Sequence, residues 1–234
     1  MDAKLLGLAG SLGTAAVGGG IYFASKDSPK STSISHLLES EKGLLLLSET
    51  TDAKWQEAWK RYRDAHKESG DNNYKDKDQW GIKDWASKQK EDSAPEEFKS
   101  ECEKRAKLEV LGKDSKEYQN VKSWCTRPKK VSELLSSIGN KVLLNKDGDS
   151  GEWSKSWEEY RKHHQKQPAG SSVSYEDKDE LEVSSWTTKS KETGVPTEYK
   201  TACQTKADSY IEIEKVTEDT TFKRVEKWCT KPRV

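Results

Sequence analysis

The chain opens with twenty uncharged residues, Leu5 to Ala24 (LLGLAGSLGTAAVGGGIYFA), bounded by Lys4 and Lys26. At about 1.5 Å per helical residue such a run spans roughly 30 Å, the depth of a bilayer's hydrocarbon core. Residues 1–25 are therefore expected to form one transmembrane anchor. A cleaved signal peptide is the competing reading, because Ala16 and Gly18 have small-x-small spacing. Residues 26–33 are polar and read as a linker. Beyond them the apolar positions come in short bursts with helical spacing. Trp55, Trp59, Tyr62 and His66 step by four, three and four, which places them on one helix face, with polar residues between them. The Leu pairs after Ile34 have the same periodicity. Tyr118, Val121 and Trp124 step by three, with Cys125 next and Pro128 as a stop.

The bursts recur. ISHLLESEKGLLLL from Ile34 matches VSELLSSIGNKVLL from Val131 at an offset of 97. Trp55, Trp59, Tyr62, Arg63 and His66 match Trp153, Trp157, Tyr160, Arg161 and His164 at 98. Tyr74, Asp78, Trp85 and Cys102 match Tyr175, Asp179, Trp186 and Cys203 at 101, and Trp124-Cys125-Thr126 with Pro128 match Trp228-Cys229-Thr230 with Pro232 at 104. The offset grows in three steps, each in a polar stretch, where surface loops absorb insertions. Residues 34–128 and 129–234 are thus two copies of one unit. Each is expected to hold four to five short helices around an aromatic stripe, formed by Trp55, Trp59, Tyr62, Trp85 and Trp124 in copy 1 and by Trp153, Trp157, Tyr160, Trp186 and Trp228 in copy 2. Asp78 and Asp179 are placed as helix N-caps, and Ser93-Ala94-Pro95-Glu96-Glu97 as a helix start. Tyr210–Val216 alternates with period two, but KLEVLG, its counterpart, does not, and the segment is read as helical. The predicted fold is mainly α: an N-terminal transmembrane helix followed by two tandem helical units, each with one disulfide.

Composition sharpens this picture. Only 31% of residues are hydrophobic, against 35% charged, so each core is thin and leans on nine Trp. Small units of this kind usually need a covalent staple. The four cysteines allow three pairings. Duplication selects the two within copies, Cys102 with Cys125 and Cys203 with Cys229. Reduced thiols and a metal site are the rivals, and the absence of C-x-x-C and of a sequence-adjacent His weighs against the metal. Disulfides imply an oxidising compartment, which places the C-terminal part outside the cytoplasm. Forty-one basic residues balance forty-one acidic ones, and this gives no electrostatic reason to expect nucleic acid as a partner.

The candidate chemistry is sparse. His66 and His164 recur at the end of the stripe, where ring packing accounts for them better than a metal or a general base. The Asp76–Asp78 and Asp177–Asp179 pairs suggest calcium only weakly. Asn145–Gly151 (NKDGDSG) lacks the glycine and the distal acid of a calcium loop and reads as a turn. Trp-x-x-x-Trp with Lys60, Arg61 and Arg63 nearby has the make-up of a membrane- or glycan-binding patch, but core packing with solvated cations accounts for it better. There is no nucleophile elbow, zincin motif, phosphate loop or dinucleotide fingerprint. No catalytic, cofactor-binding or metal-binding residue is expected.

A short N-terminal anchor, a Lys/Glu/Ser-rich body and the W-C-T-[RK]-P pattern at Trp124–Pro128 and Trp228–Pro232 together resemble the large families of paralogous surface proteins of haemotropic mycoplasmas. The resemblance implies a wall-less bacterium living on red cells. It also implies a non-catalytic surface protein concerned with host contact or antigenic variation, and it brings no catalytic residues. The expectation is a single-pass cell-membrane protein, held in the lipid bilayer through Leu5–Ala24, with its C-terminal part extracellular and a host-cell surface component as partner. A structural or assembly protein of the cell envelope is the alternative, and an extracytoplasmic enzyme or ligand carrier a further one.

Overall fold

A computed structural model describes residues 30–68, 70, 73–166 and 173–233. The expected anchor at Leu5–Ala24 lies outside the described residues. Among those described, no helix is long and apolar enough to cross a membrane. Residues 31–234 form one compact unit.

The unit is mainly helical and repeats the same order twice. Copy 1 runs β1 (Thr32–Ser33), α1 (Ile34–Glu39), β2 (Leu44–Leu46), α2 (Trp55–Ala65), α3 (Trp85–Lys88), α4 (Glu96–Ala106), β3 (Glu109–Val110), α5 (Lys116–Trp124) and β4 (Thr126–Pro128). Copy 2 runs α6 (Val131–Ile138), β5 (Lys141–Leu143), α7 (Ser150–His163), α8 (Trp186–Lys189), α9 (Thr197–Ala207), a 3-10 turn (Val216–Glu218), α10 (Thr220–Trp228) and β6 (Thr230–Pro232). Five helices thus fall in each copy among the described residues.

Each copy has its own core. In copy 1, α2 turns Trp55, Trp59 and Tyr62 inward against Trp85, Phe98, Tyr118 and Trp124. Trp59 meets Trp85 edge-on at 5.9 Å, and Tyr62 meets Trp124 edge-on at 5.1 Å. Copy 2 repeats both contacts with Trp157–Trp186 at 6.0 Å and Tyr160–Trp228 at 5.2 Å. Edge-to-face pairs of this kind contribute about 0.5–1.5 kcal/mol beyond the area they bury, which is how a unit poor in Leu and Ile holds a core. Disulfides join Cys102 to Cys125 and Cys203 to Cys229, tying the second turn of α4 to the end of α5 and α9 to the end of α10.

Several local expectations fail, each for a physical reason. The Leu-rich tail of ISHLLESEKGLLLL is not helical: Leu44–Leu46 pairs antiparallel with Thr126–Pro128, and Lys141–Leu143 pairs with Thr230–Pro232. In copy 2 the break falls at Gly139, whose φ of +82° closes α6 and favours glycine. The KLEVLG segment holds a strand, and its counterpart meets Lys130 through a single bridge at Tyr210 rather than forming a helix. The fold also begins before residue 34. Thr32 and Ser33 pair with β3, and Ser33 caps α1 by accepting the His36 N–H, so these two residues are not linker. Neither Asp78 nor Asp179 is a helix cap. α3 and α8 start from Asp84 and Ser185, both in the left-handed region. Ser93 does not cap α4; Pro95 stands at the N-cap with Glu96 and Glu97 in the first turn.

The copies are joined without a linker. β4 runs straight on: the Lys129 N–H donates to Gly43 of copy 1 at 2.9 Å, and the Lys129 carbonyl accepts from Ile211 of copy 2 at 3.0 Å. Lys130 then bridges Tyr210, and the Val131 N–H donates to Ser209. In copy 1, Ser33 pairs with Glu109 and Ile34 donates to Leu108 in the same way. One extended segment therefore closes copy 1 and opens copy 2. Buried Arg127 locks the joint. It gives Nε to Asp52 at 2.6 Å and both Nη atoms to Glu133 at 2.7 and 2.8 Å. Lys54 stands 4.5 Å over the Tyr210 ring beside it.

Candidate functional site

The residues that recur most strictly in sequence converge on one knot in each copy. Tyr62 donates its hydroxyl to Asp78 and accepts the Trp80 N–H at 3.0 Å. The Asp78 carboxylate also accepts the N–H groups of Trp80 at 2.9 Å and Ile82 at 3.0 Å. The His66 Nδ1–H donates to the Tyr62 carbonyl at 2.8 Å, and Nε2 accepts the Gln79 N–H at 2.9 Å. Tyr160, His164 and Asp179 repeat every one of these bonds with Glu180, Leu181 and Val183. Burial, and then the facing carboxylate, push both phenols above their ordinary range. A Tyr–Asp–His grouping invites a catalytic reading. Here both nitrogens of each imidazole are committed to backbone, and each carboxylate holds a loop against the end of α2 or α7. The knot is a polar core.

The Trp stripe is committed in the same way. In copy 1 three of its indole N–H groups find a carbonyl: Trp55 that of Glu49, Trp59 that of Glu91, Trp85 that of Lys75. Trp153, Trp157 and Trp186 use Asn145, Glu192 and Glu176. Among the basic neighbours, Arg61 caps the end of α5 through the Ser123 and Thr126 carbonyls, and buried Arg63 reaches Gln89 and Asp92, so neither is a free solvated cation. Of Asn145–Gly151, residues 145–149 form a turn in which Asn145 accepts from the Asp147 N–H and Asp149 from the Asn145 N–H, while Ser150 and Gly151 open α7.

What remains distinctive is where the copies differ. In copy 1 the Trp80 ring stands against Trp124 at 5.0 Å, with the Arg105 guanidinium 4.8 Å over its other side. In copy 2 position 80 becomes Leu181, and His163, replacing Ala65, packs its ring on Trp228 at 5.1 Å. Glu180, replacing Gln79, accepts the Trp228 indole N–H at 2.7 Å and faces His163 Nε2 at 3.4 Å. Burial opposes ionisation of Glu180, but Trp228 and His163 outweigh it and hold the carboxyl below its usual range. His163, His164 and Glu180 bring three potential metal-ligand atoms within 4.8 Å of one another. Those donors are already spent on each other: His164 Nε2 holds the Glu180 N–H, and the Glu180 carboxylate holds Trp228. His163 and Glu180 contact Trp228 where Trp80 contacts Trp124 in copy 1. Sequence reading passed over His163 and Glu180, although both stand out as mismatches once the copies are aligned.

Surface grooves differ as well. Copy 1 opens about 420 Å³ between the 46–50 segment and α4, over Leu46, Leu47 and Trp55 and beside Lys99 and Glu103. The equivalent place in copy 2 closes to about 10 Å³. Helix α7 begins three residues before Trp153 whereas α2 begins at Trp55, so six residues (144–149) link β5 to α7 against eight (47–54) from β2 to α2; a lysine holds each loop, Lys200 through the Lys146 carbonyl at 2.9 Å and Lys99 through that of Thr50 at 3.2 Å. Copy 2 instead opens about 400 Å³ along α9, where Leu181 and Ala202 form the floor and Thr197, Thr201 and Thr205 one wall. Comparison of the chain with protein-family models, with curated proteins and with solved structures finds no match.

Proposed function

We propose that the protein is a non-catalytic surface protein, held to the membrane by Leu5–Ala24, with its duplicated unit outside the cytoplasm binding or displaying a variable face to a host-cell component. The observation that carries this reading is the fate of the recurring polar groups. In both copies Tyr, His and Asp turn inward and hold backbone. What diverges is the surface: the two grooves, and the loops that shape them. A conserved frame under diverging surfaces suits recognition or antigenic display better than a single chemistry. Two disulfides, each with buried sulfurs, support an oxidising compartment. Two linked copies support avidity, because the second contact to a host surface is intramolecular.

The test is made on intact cells. Added protease should release fragments of 31–234, and thiol-blocking before lysis should find all four cysteines unreactive. A unit that resists protease in intact cells but is cleaved after permeabilisation supports instead the assembly role inside the cell envelope. Four free thiols would remove the extracytoplasmic placement altogether.

A further inference from the structure

Two leucines of copy 1 stand out of place. Leu111 is 71% exposed, the most exposed large apolar side chain among the described residues, and Leu108 is 40% exposed. Scattered exposed leucines are ordinary; the position of these two is not. They flank β3, whose only strand partner among the described residues is β1. The antiparallel register Thr32↔Val110 carries the preceding chain past Leu111, and Ser31 donates its hydroxyl to Glu109 at that point.

The leucines are also specific to this copy. Their counterparts in copy 2 are Ser209 and Glu212. Ser209 bonds the Lys206 carbonyl, and Glu212 pairs with Lys215. The backbone pairing is kept in both copies, since Ile34 donates to Leu108 as Val131 donates to Ser209. The fold therefore accepts polar residues at these places and does not require leucine. At these two positions apolar side chains occur only in the copy that directly follows the apolar run, and the exposed apolar residues of copy 2, Ile138, Val173 and Ile213, are all less exposed than Leu111. Only residues 25–30 separate Ala24 from Ser31, and that length of chain reaches at most roughly 25 Å. The partner within such a tether's reach is the lipid surface itself. Lys107 and Lys113 stand beside the pair, tied to Glu103 and Glu41, and long lysine stems suit a headgroup boundary.

We propose that the β3 edge of copy 1, through Leu108 and Leu111, rests on the lipid surface and gives the duplicated unit a fixed stance on the membrane. This rests on the reading of Leu5–Ala24 as a membrane segment, so the experiment reads the two separately. The full oxidised chain is incorporated into phosphatidylcholine vesicles in which part of the lipid carries a diazirine on its acyl chain. After photolysis, adducts are mapped by peptide. Label is expected within 5–24 and also within 107–113, the latter at least roughly tenfold above the equivalent 208–214 peptide, given the partition expected for one buried leucine. Label in 5–24 with 107–113 no higher than 208–214 overturns the contact and leaves the anchor standing. Absence of label from both overturns the contact together with the anchor. The double variant Leu108→Ser, Leu111→Glu installs the residues of copy 2. It should keep both disulfides and the helical circular dichroism, and lose the adducts at 107–113. Leu111→Glu alone makes the same test at the more exposed position. Undiminished labelling in either folded variant would show that the leucines do not make the contact.

Discussion

At the scale of single residues, the aspartates of the knot carry more than their share. Asp78→Ala would leave the Tyr62 hydroxyl and the Ile82 N–H without their acceptor, and the Trp80 N–H with the Tyr62 oxygen alone, in a region where all three residues are buried. An orphaned buried donor costs about 1–3 kcal/mol. With relaxation, the variant should lose about 3–5 kcal/mol in urea unfolding, and Asp179→Ala about the same from copy 2, because its bonds are identical. A loss under 1 kcal/mol would mean that water replaces the carboxylate and that the knot is not a core. Glu41 sets a pH dependence of known sign. Burial raises its pKa, but Lys113, Tyr118 and Lys122 outweigh burial and lower it from 4.5 to about 2. A carboxyl whose folded value is depressed stabilises the fold above its unfolded pKa and loses that contribution as pH falls toward the folded value. The stability difference between the wild type and Glu41→Gln should therefore be constant above about pH 5, shrink between about 4.5 and 2, and vanish below. Urea melts at stepped pH check this; a difference that grows on acidification refutes the assignment.

At the scale of elements, the aromatic helices and the bridges were legible and the strands were not. Trp55, Trp59 and Tyr62 announce α2 because a period near 3.6 is a local property, and one apolar face has to be buried somewhere. The pairing of Cys102 with Cys125 followed from duplication alone. A three-residue strand such as Leu44–Leu46 carries no period. It exists because Thr126–Pro128, some eighty residues away, lies beside it, and nothing local in LLLL distinguishes strand from helix. Asp78 was misplaced for a related reason. Its carboxylate does face backbone N–H groups, but those of a loop held down by Tyr62, and Tyr62 is sixteen residues distant in sequence. Of His163, His164 and Glu180, only His164 is marked in sequence, because it repeats His66; the other two are specific to copy 2 and meet their partners only in space. The bridges themselves invite measurement. Closing a loop of 23 residues removes roughly 3–3.5 kcal/mol of unfolded-chain entropy. Cys102→Ala with Cys125→Ala should lower stability by about that amount, plus the cost of a small cavity, since both sulfurs are buried. Equilibrium unfolding of the double variant against the wild type reads it directly. A loss below about 1 kcal/mol would indicate that the reduced chain is already compact there.

At the scale of the whole molecule, the joint explains how the two copies act as one body. The 126–130 segment could in principle extend the array at either end, because β1 stands in copy 1 where Lys130 stands in copy 2. The lock does not extend with it. Asp52, Lys54 and Arg127, which face copy 2, have Ser150, Glu152 and Lys231 as counterparts on the far end, and Lys231 is tied instead to Asp149. Glu133 and Tyr210, which receive them, have His36 and Glu109 as counterparts on the near end. Docking the copy 2 end of one chain on the copy 1 end of another would set Glu152 against Glu109 and Lys231 against His36. Both outer faces thus differ in charge from the joint, as the capping faces of repeat arrays differ from their inner ones, and they disfavour end-to-end stacking of two such chains. Within the pair, the lock should couple unfolding. Arg127 is the only cation that the Asp52 and Glu133 carboxylates share at the joint among the described residues. Arg127→Ala leaves two partly buried carboxylates facing one another, a change worth about 3–5 kcal/mol when a pair is well buried and less here, where Glu133 is a third exposed. The wild type should melt in one calorimetric transition, its calorimetric and van't Hoff enthalpies equal. In Arg127→Ala the copies should separate into two transitions, each core and each disulfide still intact. Glu133→Gln, which keeps one hydrogen-bond acceptor for the guanidinium, should fall between. A single undivided transition in Arg127→Ala would place the coupling in the shared backbone strand and not in the ion pairs.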